Sequence, residues 1–317
     1  MKNVFARAFL VLLPILSFAM VNADQQPCTK RVVQYYGIQV NDQGTKFHIS
    51  QLVNNTDNKT YATNVLMGAF GLLKNKTIGL NGENPAREAN DWFWDEIKMV
   101  QDNGVKVSLW MRQGYQYLKK NNPTFEAYYA ALNDTLIKYD FDGIDLDIED
   151  AGSANAMTLE DTIHLIKRLR SDFGSDFIIT LAPVSNALLS QSENVSKFSY
   201  QALEKQAGAE IDWYNAQFYG GSWKGLKTPA FYKRCIKEGG WKPDRIVTTI
   251  TTSSDFTYPL PRSSWVGLNE TGPTIEKLVD QYADFGGVGG FDFYDAEPGG
   301  YAAPWEWSRW AARRMGA

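Results

Sequence analysis

An alternating stretch of eight residues, DGIDLDIE at positions 142–149, decides the fold. Successive side chains of a β-strand point to opposite faces, so one face of this stretch is aliphatic and the other carries Asp145, Asp147 and Glu149. In a barrel strand the acidic face points inward. Three buried acids are costly, because each unpaired carboxylate costs several kcal/mol or takes up a proton. The stretch therefore predicts a buried functional strand.

Like charges at this spacing push the pKa values of the three acids apart, so at least one acid is expected to stay protonated near neutral pH. A protonated carboxyl group is what a general acid needs. The alternative is an acidic edge strand whose polar face lies in water. The aliphatic face and the barrel context favour the buried strand, with Glu149 last, at the carboxyl-terminal mouth where barrel enzymes keep their sites.

Eight short apolar runs alternate with amphipathic helical stretches along the chain. The predicted strands cover residues 31–36, 64–70, 106–111, 143–149, 177–183, 213–219, 246–251 and 288–294. Thr158 and Asp161 predict a capping box at the start of one intervening helix, and Gly174 predicts its end. This alternation over one uninterrupted length favours a single closed (β/α)8 TIM barrel, of class α/β, over an open doubly wound sheet.

The first 23 residues have the pattern of a secretory signal peptide, which leaves residues 24–317 for the barrel domain. A basic start precedes the apolar stretch 8–20, and Val21-Asn22-Ala23 supplies small residues at the cleavage site. The apolar stretch is short for a membrane span, although an uncleaved anchor is the alternative. We therefore expect a secreted, extracellular protein that has no membrane contact after cleavage.

The glycosylation sequons and the cysteines are also relevant to the predicted secretory route. Six Asn-x-Ser/Thr sequons occur, at Asn54, Asn58, Asn75, Asn133, Asn194 and Asn269. Cys28 and Cys235 are the two cysteines of the chain. In an oxidising compartment they could pair, but two unpaired thiols are the alternative, because sequence does not show whether they lie within bridging distance.

The composition excludes some partners and sites. A net charge of −4 without a basic patch argues against nucleic acid. The two histidines, His48 and His164, are far apart in sequence and no zinc spacing occurs, so neither a metal site nor a Ser-His-Asp site is expected. Ten tryptophans are present, and Trp110, Trp223 and Trp265 are candidates either for stacking on sugar rings or for burial in the core.

The DGIDLDIE stretch resembles the D-G-x-D-x-D-x-E signature in strand four of glycoside hydrolase family 18 at every specified position. The family includes chitinases and endo-β-N-acetylglucosaminidases, which cut the chitobiose core of N-glycans. Its substrate-assisted chemistry implies that Glu149 protonates the glycosidic oxygen and later activates water. It also implies that Asp147 orients the attacking 2-acetamido group and that Asp145 tunes Asp147. No cofactor is implied.

A second match lies in IDWYNAQFY at residues 211–219. Gln217 and Tyr219 share parity and are expected to face inward with the acids. The resemblance implies that the Tyr219 hydroxyl contacts the acetamido carbonyl. A core tyrosine is the alternative, because Tyr214 and Phe218 are equally able to pack.

Two positions depart from the family pattern. Arg112 and Gln113 stand where strand three commonly ends in small residues, and Phe291 stands where strand eight commonly carries a tryptophan beneath the sugar. Both departures leave the acids in place but could narrow the cleft. A guanidinium near the acids could also weaken the catalytic acid.

FIITLAPV at 177–184, IDWYNAQFY and the closing PGG-x-x-x-PWEW at 298–307 are similar to secreted fungal endo-β-N-acetylglucosaminidases. The resemblance implies an endo-acting, retaining hydrolase of the β-1,4 bond between two N-acetylglucosamines in the N-glycans of glycoproteins. We expect the protein to be a monomer. A chitinase is the alternative, disfavoured because residues 252–287 leave little room for the inserted subdomain of processive chitinases. An inactive sugar-binding protein is the alternative of another class, although all three acids are present.

Overall fold

The computed structural model describes residues 30–190, 194–220, 225–255 and 265–316. The expected signal peptide, Cys28 and Trp223 lie outside the described residues. Cys235 is buried, and burial raises the pKa of its thiol to about 12. Its pairing with Cys28 stays a prediction.

The strands of the described residues form one sheet that closes on itself. They are β1 Arg31–Tyr36, β2 Asn64–Leu72, β3 Ile78–Leu80, β4 Lys106–Gln113, β5 Gly143–Leu146, β6 Ile178–Leu181, β7 Trp213–Gln217, β8 Ile246–Thr251 and β9 Gly287–Phe291. All except β3 pair in parallel, and β1 closes the ring by pairing with both β2 and β9. Strand β3 is an antiparallel addition beside β2. The predicted (β/α)8 barrel is confirmed.

The carboxyl ends of six of the eight predicted strands are wrong, and they lie at the mouth of the barrel. The predicted strands 64–70 and 106–111 run on to Leu72 and Gln113, whereas 177–183 and 213–219 end early, at Leu181 and Gln217. The two largest differences are in the strands that carry Glu149 and Phe291. The predicted strand 143–149 ends at Leu146, and the predicted strand 288–294 ends at Phe291. The backbone N–H of Asp147 still donates to Met111 of β4 across 3.0 Å. Beyond it, the chain leaves the sheet and bonds to a loop that follows β6, so Glu149 lies on an extension of the strand.

Helices cover the outside of the barrel. Those longer than one turn are α1 Asp91–Asp102, α2 Phe125–Lys138, α3 Leu159–Phe173, α4 Tyr200–Ala207, α5 Ala230–Lys237, α6 Leu268–Gln281 and α7 Glu306–Arg314. The predicted capping box at Thr158 and Asp161 is present at the start of α3, and Gly174 caps its end with a positive φ of 80°. Within the described residues, no helix has the length and apolarity needed to cross a membrane.

Two apolar clusters divide the core. The larger one fills the space between the strands and the helices. The smaller one lies inside the barrel and contains Val33, Tyr35, Leu66, Trp110, Trp213 and Val247. At the amino-terminal end of this interior, the guanidinium of Arg31 lies 4.2 Å from the ring centre of Trp213. This cluster therefore fills the interior of the barrel, and its Tyr35 and Trp110 reach up to the buried acids at the carboxyl-terminal end.

Candidate active site

The Asp-Gly pair that opens the acidic stretch has a structural role. The Asp142 carboxylate pairs with Lys106 at 2.7 Å and accepts the backbone N–H of Val107 at 2.9 Å. A Cβ at Gly143 would overlap the carbonyl oxygen of Ile178 on the neighbouring strand. The pair therefore fixes β5 between β4 and β6, which sets the depth of the three acids that follow.

Asp145 is fully buried inside the barrel and is held by three hydrogen-bond donors. Its Oδ1 accepts from Thr180 Oγ1 at 2.6 Å and from Asn215 Nδ2 at 2.8 Å, and its Oδ2 accepts from the Tyr35 hydroxyl at 3.2 Å. Burial raises the pKa of Asp145, and the three donors oppose that rise. The side chain is closed off from solvent, so it acts only through its neighbours.

Asp147 lies one layer higher and has fewer donors. Its Oδ2 accepts the indole N–H of Trp110 at 3.1 Å, while its Oδ1 lies 3.4 Å from Gln217 Nε2. Burial holds the pKa of Asp147 well above its ordinary value, and the nearby charges of Glu149 and Asp145 raise it further. Asp145 is better supplied with donors than Asp147, and this difference favours the ionised form of Asp145 over that of Asp147.

Glu149 is the acid that reaches the mouth. Its side chain is 29% exposed, whereas Asp147 is buried. Its Oε1 accepts from Gln217 Nε2 at 2.9 Å, and the same amide nitrogen donates to the carbonyl of Ala182 at 3.0 Å. One amide group therefore orients the exposed acid against the barrel wall and also lies near Asp147.

Arg112 and Gln113, which depart from the family pattern, are both exposed at the end of β4. Arg112 lies beside the acids as expected, with its Nη2 3.8 Å from Oε2 of Glu149. Its charge opposes the rise in the pKa of Asp147. The distance exceeds that of a hydrogen bond, so the guanidinium acts on the acids through its charge.

Aromatic side chains form one wall of the site. The rings of Tyr219 and Phe291 are stacked, with centres 5.5 Å apart and planes 12° apart. Phe291 also meets Tyr35 and Trp110 edge to face, at 5.6 Å and 5.9 Å between ring centres. Burial and the charge of Asp147 hold the pKa of Tyr219 well above its usual range, so its hydroxyl stays protonated and can donate a hydrogen bond.

The six residues expected at the site from sequence come together at the carboxyl ends of β5, β7 and β9. Sequence reasoning missed four residues that hold the acids: Tyr35, Trp110, Thr180 and Asn215. Asn215 shares strand parity with Gln217 and could have been found from it. Trp110 was considered only as a sugar platform or a core residue. Trp265 is half-buried just before α6.

In the part of the chain that the structure describes, no group of three or more His, Cys, Asp or Glu side chains is arranged to hold a metal ion. The buried acids are already bound by neutral donors. The arrangement can transfer a proton from a carboxyl group at the mouth, and it holds a second, buried carboxyl group close beside the first.

A comparison with family profiles matches residues 31–258 to "Glycosyl hydrolases family 18". The chain belongs to glycoside hydrolase family 18. It is therefore a glycoside hydrolase of a family that binds chitin or glycan substrates, and the acids at its barrel mouth lie within the matched region.

Two solved family 18 structures resemble this family 18 chain closely. A fungal endo-β-N-acetylglucosaminidase is 30% identical with a TM-score of 0.81, and the match covers 90% of this chain and 98% of that one. A chitinase from Aspergillus fumigatus is 35% identical with a TM-score of 0.77, and the match covers 90% of this chain and all of that one. A comparison with curated protein sequences gives no significant match.

Proposed function

We propose that this enzyme hydrolyses the β-1,4 bond between the two N-acetylglucosamines of the N-glycan core by substrate-assisted, retaining catalysis. The observation that carries the proposal is the stacked arrangement of a buried Asp147 beneath a more exposed Glu149, with Gln217 in contact with both. The Glu149 carboxyl group meets solvent at the mouth, whereas the Asp147 carboxyl group is buried beneath it. Substrate assistance needs these two positions.

In the first step Glu149 donates its proton to the glycosidic oxygen. The carbonyl oxygen of the 2-acetamido group attacks the anomeric carbon, the bond to the leaving sugar breaks, and an oxazolinium ring forms. Asp147 accepts the acetamido N–H and orients the group for attack. The Tyr219 hydroxyl donates to the acetamido carbonyl, consistent with its high pKa.

In the second step water replaces the departed sugar. Glu149, now a carboxylate, takes a proton from that water as its oxygen attacks the anomeric carbon, and the oxazolinium ring opens. The product keeps the β-configuration because two inversions have occurred, and Glu149 is protonated again. Asp145 remains buried throughout and supports the position of Asp147 from the layer of donors beneath it.

Two substrates suit this chemistry, N-glycans and chitin. The fungal endo-β-N-acetylglucosaminidase and the fungal chitinase are similar to this chain to a comparable degree. The connection from β8 to β9 contains helix α6 and leaves little chain for the inserted subdomain of a processive chitinase. This short connection argues against a processive chitinase, and chitin oligomers are the second candidate substrate.

The test compares the wild type with Glu149→Gln on a high-mannose glycoprotein and on chitin oligomers. Glutamine keeps the acceptor oxygen for Gln217 but carries no transferable proton, so we expect a loss of about 10²- to 10⁴-fold in rate. Glu160→Gln is the matched control, because Glu160 pairs with Lys120 on the surface of α3. Release of a glycan that ends in one N-acetylglucosamine supports the proposal. Cleavage of chitin alone replaces it with the chitinase.

We also propose that the enzyme acts outside the cell as a monomer. Four sequon asparagines, Asn54, Asn58, Asn75 and Asn269, are exposed on the described surface, which supports passage through a glycosylating route. Secretion from the native host and the mass of the purified protein in solution test these two points.

A further inference from the structure

We propose that Ser196 is a positioning residue for Glu149, and that the Asn194-Val195-Ser196 sequon is used in the folded chain to hold the catalytic acid. This inference rests on the proposed role of Glu149. It gives a function to a sequence feature that the glycosidase site itself does not explain.

The need for such a residue arises because Glu149 lies beyond the sheet. Strand β5 ends at Leu146, whose carbonyl accepts the N–H of Ala182, and the last backbone hydrogen bond to β4 is donated by the N–H of Asp147. Without bonds from outside the sheet, residues 148–150, which include Glu149, would have no backbone hydrogen bonds to a neighbouring strand. A general acid needs a defined position, because displacement by about 1 Å can cost about 100-fold in rate.

The loop that follows β6 provides the missing bonds on both sides of the acid. Ser196 Oγ donates to the carbonyl of Ile148 at 2.6 Å, one residue before Glu149. The N–H of Ala151, two residues after Glu149, donates to the carbonyl of Val195 at 2.8 Å. These two bonds hold the backbone before and after Glu149 to one segment.

The segment is itself fixed by its own contacts. Ser196 is buried, and its Oγ lies 3.0 Å from the hydroxyl of the fully buried Tyr200. Since Ser196 gives its only hydroxyl proton to the Ile148 carbonyl, Tyr200 is the donor in that second bond. Asn194 Oδ1 accepts the N–H of Ser196 at 2.9 Å. A short chain of buried hydrogen bonds thus runs from α4 to the carbonyl beside the acid.

Both side chains of the sequon that glycosylation requires are engaged in these contacts. Asn194 is half-buried, and its Nδ2, the atom that would carry a glycan, donates to the carbonyl of Phe198 at 2.6 Å. The Ser196 hydroxyl is directed into the protein. In the folded chain this segment faces the acid, unlike the exposed sequon at Asn75.

The experiment measures Ser196→Ala on two substrates that differ in leaving group. An N-glycan needs full protonation of its leaving sugar, whereas an aryl glycoside of N-acetylglucosamine or chitobiose with an acidic phenol needs little. If Ser196 positions the acid, the variant loses about 10-fold or more in kcat on the glycan with little change in KM, and about threefold or less on the aryl glycoside. All proteins are made in a host without N-glycosylation, since the substitution also removes the sequon.

Ser308→Ala is the matched control, because Ser308 is also buried but donates to Gln34 Oε1 on the far side of β1. We expect it to keep both activities within about twofold. An equal loss on both substrates in Ser196→Ala would show a merely structural role and overturn the proposal.

Hydrogen exchange provides a readout that does not require activity. In Ser196→Ala the amide of Ala151 should exchange faster than in Ser308→Ala, because its partner Val195 loses its anchor. Unchanged protection at Ala151 overturns the inference. A wild type that cleaves neither substrate overturns the proposed function instead, and the exchange result still decides whether the segment holds the backbone of the acid.

Discussion

The amide nitrogen of Gln217 lies 2.9 Å from Oε1 of Glu149, although the two residues are 68 positions apart in the chain. The same nitrogen lies 3.4 Å from Asp147. Asp147 and Glu149, which both follow the end of β5, are therefore positioned by one side chain of β7. Gln217 makes no proton transfer of its own, so its contribution is to align the acids.

Replacing Gln217 by leucine should lower kcat by about 10- to 100-fold, because a hydrogen bond to a charged group contributes about 1.5–3 kcal/mol. Steady-state kinetics on the preferred substrate measure the effect. Gln201→Leu is a suitable control, since Gln201 lies on α4 and donates to the carbonyl of Gly239 away from the acids. Equal rates for the two variants would contradict the alignment role.

Replacing Asp147 by asparagine should abolish most activity but stabilise the fold at neutral pH. The folded-state pKa of Asp147 is raised above its unfolded value, so between the two values the native state holds a proton that the unfolded chain has released. Wild-type stability therefore falls as pH rises through this window. Asparagine does not titrate, and we expect its melting temperature at pH 7.5 to exceed that of the wild type by about 2 °C or more.

The difference in melting temperature between Asp147→Asn and the wild type should shrink as the pH is lowered to 4. At that pH the unfolded wild-type chain also begins to protonate Asp147, so folding no longer requires it to take up a proton. Thermal unfolding across pH 4 to 8 provides the measurement. A gap that widens toward low pH would show that burial does not control this carboxyl group.

Replacing Arg112 by methionine should move one limb of the pH–rate profile to higher pH. The Arg112 charge opposes the rise in the pKa of Asp147, so its removal raises that pKa further. The guanidinium is 39% exposed, so screening should keep the displacement below about one pH unit. Arg112→Lys keeps the charge and serves as the control. An unmoved limb at low ionic strength would exclude an electrostatic effect of Arg112.

Replacing Thr180 by valine should destabilise the protein by about 1 kcal/mol at pH 7.5. Valine has the shape of threonine but removes the 2.6 Å donor to Asp145, which favours the ionised form. Loss of that donor raises the pKa of Asp145, so the deficit should be smaller at pH 4, where the carboxyl group is protonated. Urea unfolding at both pH values tests this, and a deficit that is independent of pH would indicate lost packing alone.

The barrel and the three acids could be predicted from sequence because they depend on local alternation. Each apolar run identified its strand, and parity along 142–149 placed Asp145, Asp147 and Glu149 on one face. The end of β5 could not be predicted in this way, since a strand ends where its neighbours cease to pair. That depends on β4 and β6 and on a loop from beyond β6.

The hydrogen-bond donors around Asp145 could not be predicted from the sequence for a related reason. Tyr35 and Thr180 lie on strands whose sequences read as ordinary barrel interior, and nothing local marks them as donors to a carboxylate. The role of Thr180 follows from the register, in which Asp145 lies opposite Thr180 on β6. Tyr35 lies on β1, which does not pair with β5, and its hydroxyl reaches Asp145 across the interior of the barrel. Parity identifies the face of a side chain, but only the stagger between strands identifies its partner.

The donors to Asp145 come from three strands, β1, β6 and β7, whereas among the described residues the Glu149 carboxylate bonds to Gln217 and lies beside Arg112 at the open mouth. A descendant that loses Asp145 loses the hydrogen bonds that connect β5 to three other strands, as well as the effect of this acid on Asp147. One that loses Glu149 keeps a folded pocket able to retain sugars. Evolution from this scaffold toward a lectin should therefore begin at the mouth, and the inner acid should be the last of the three to change.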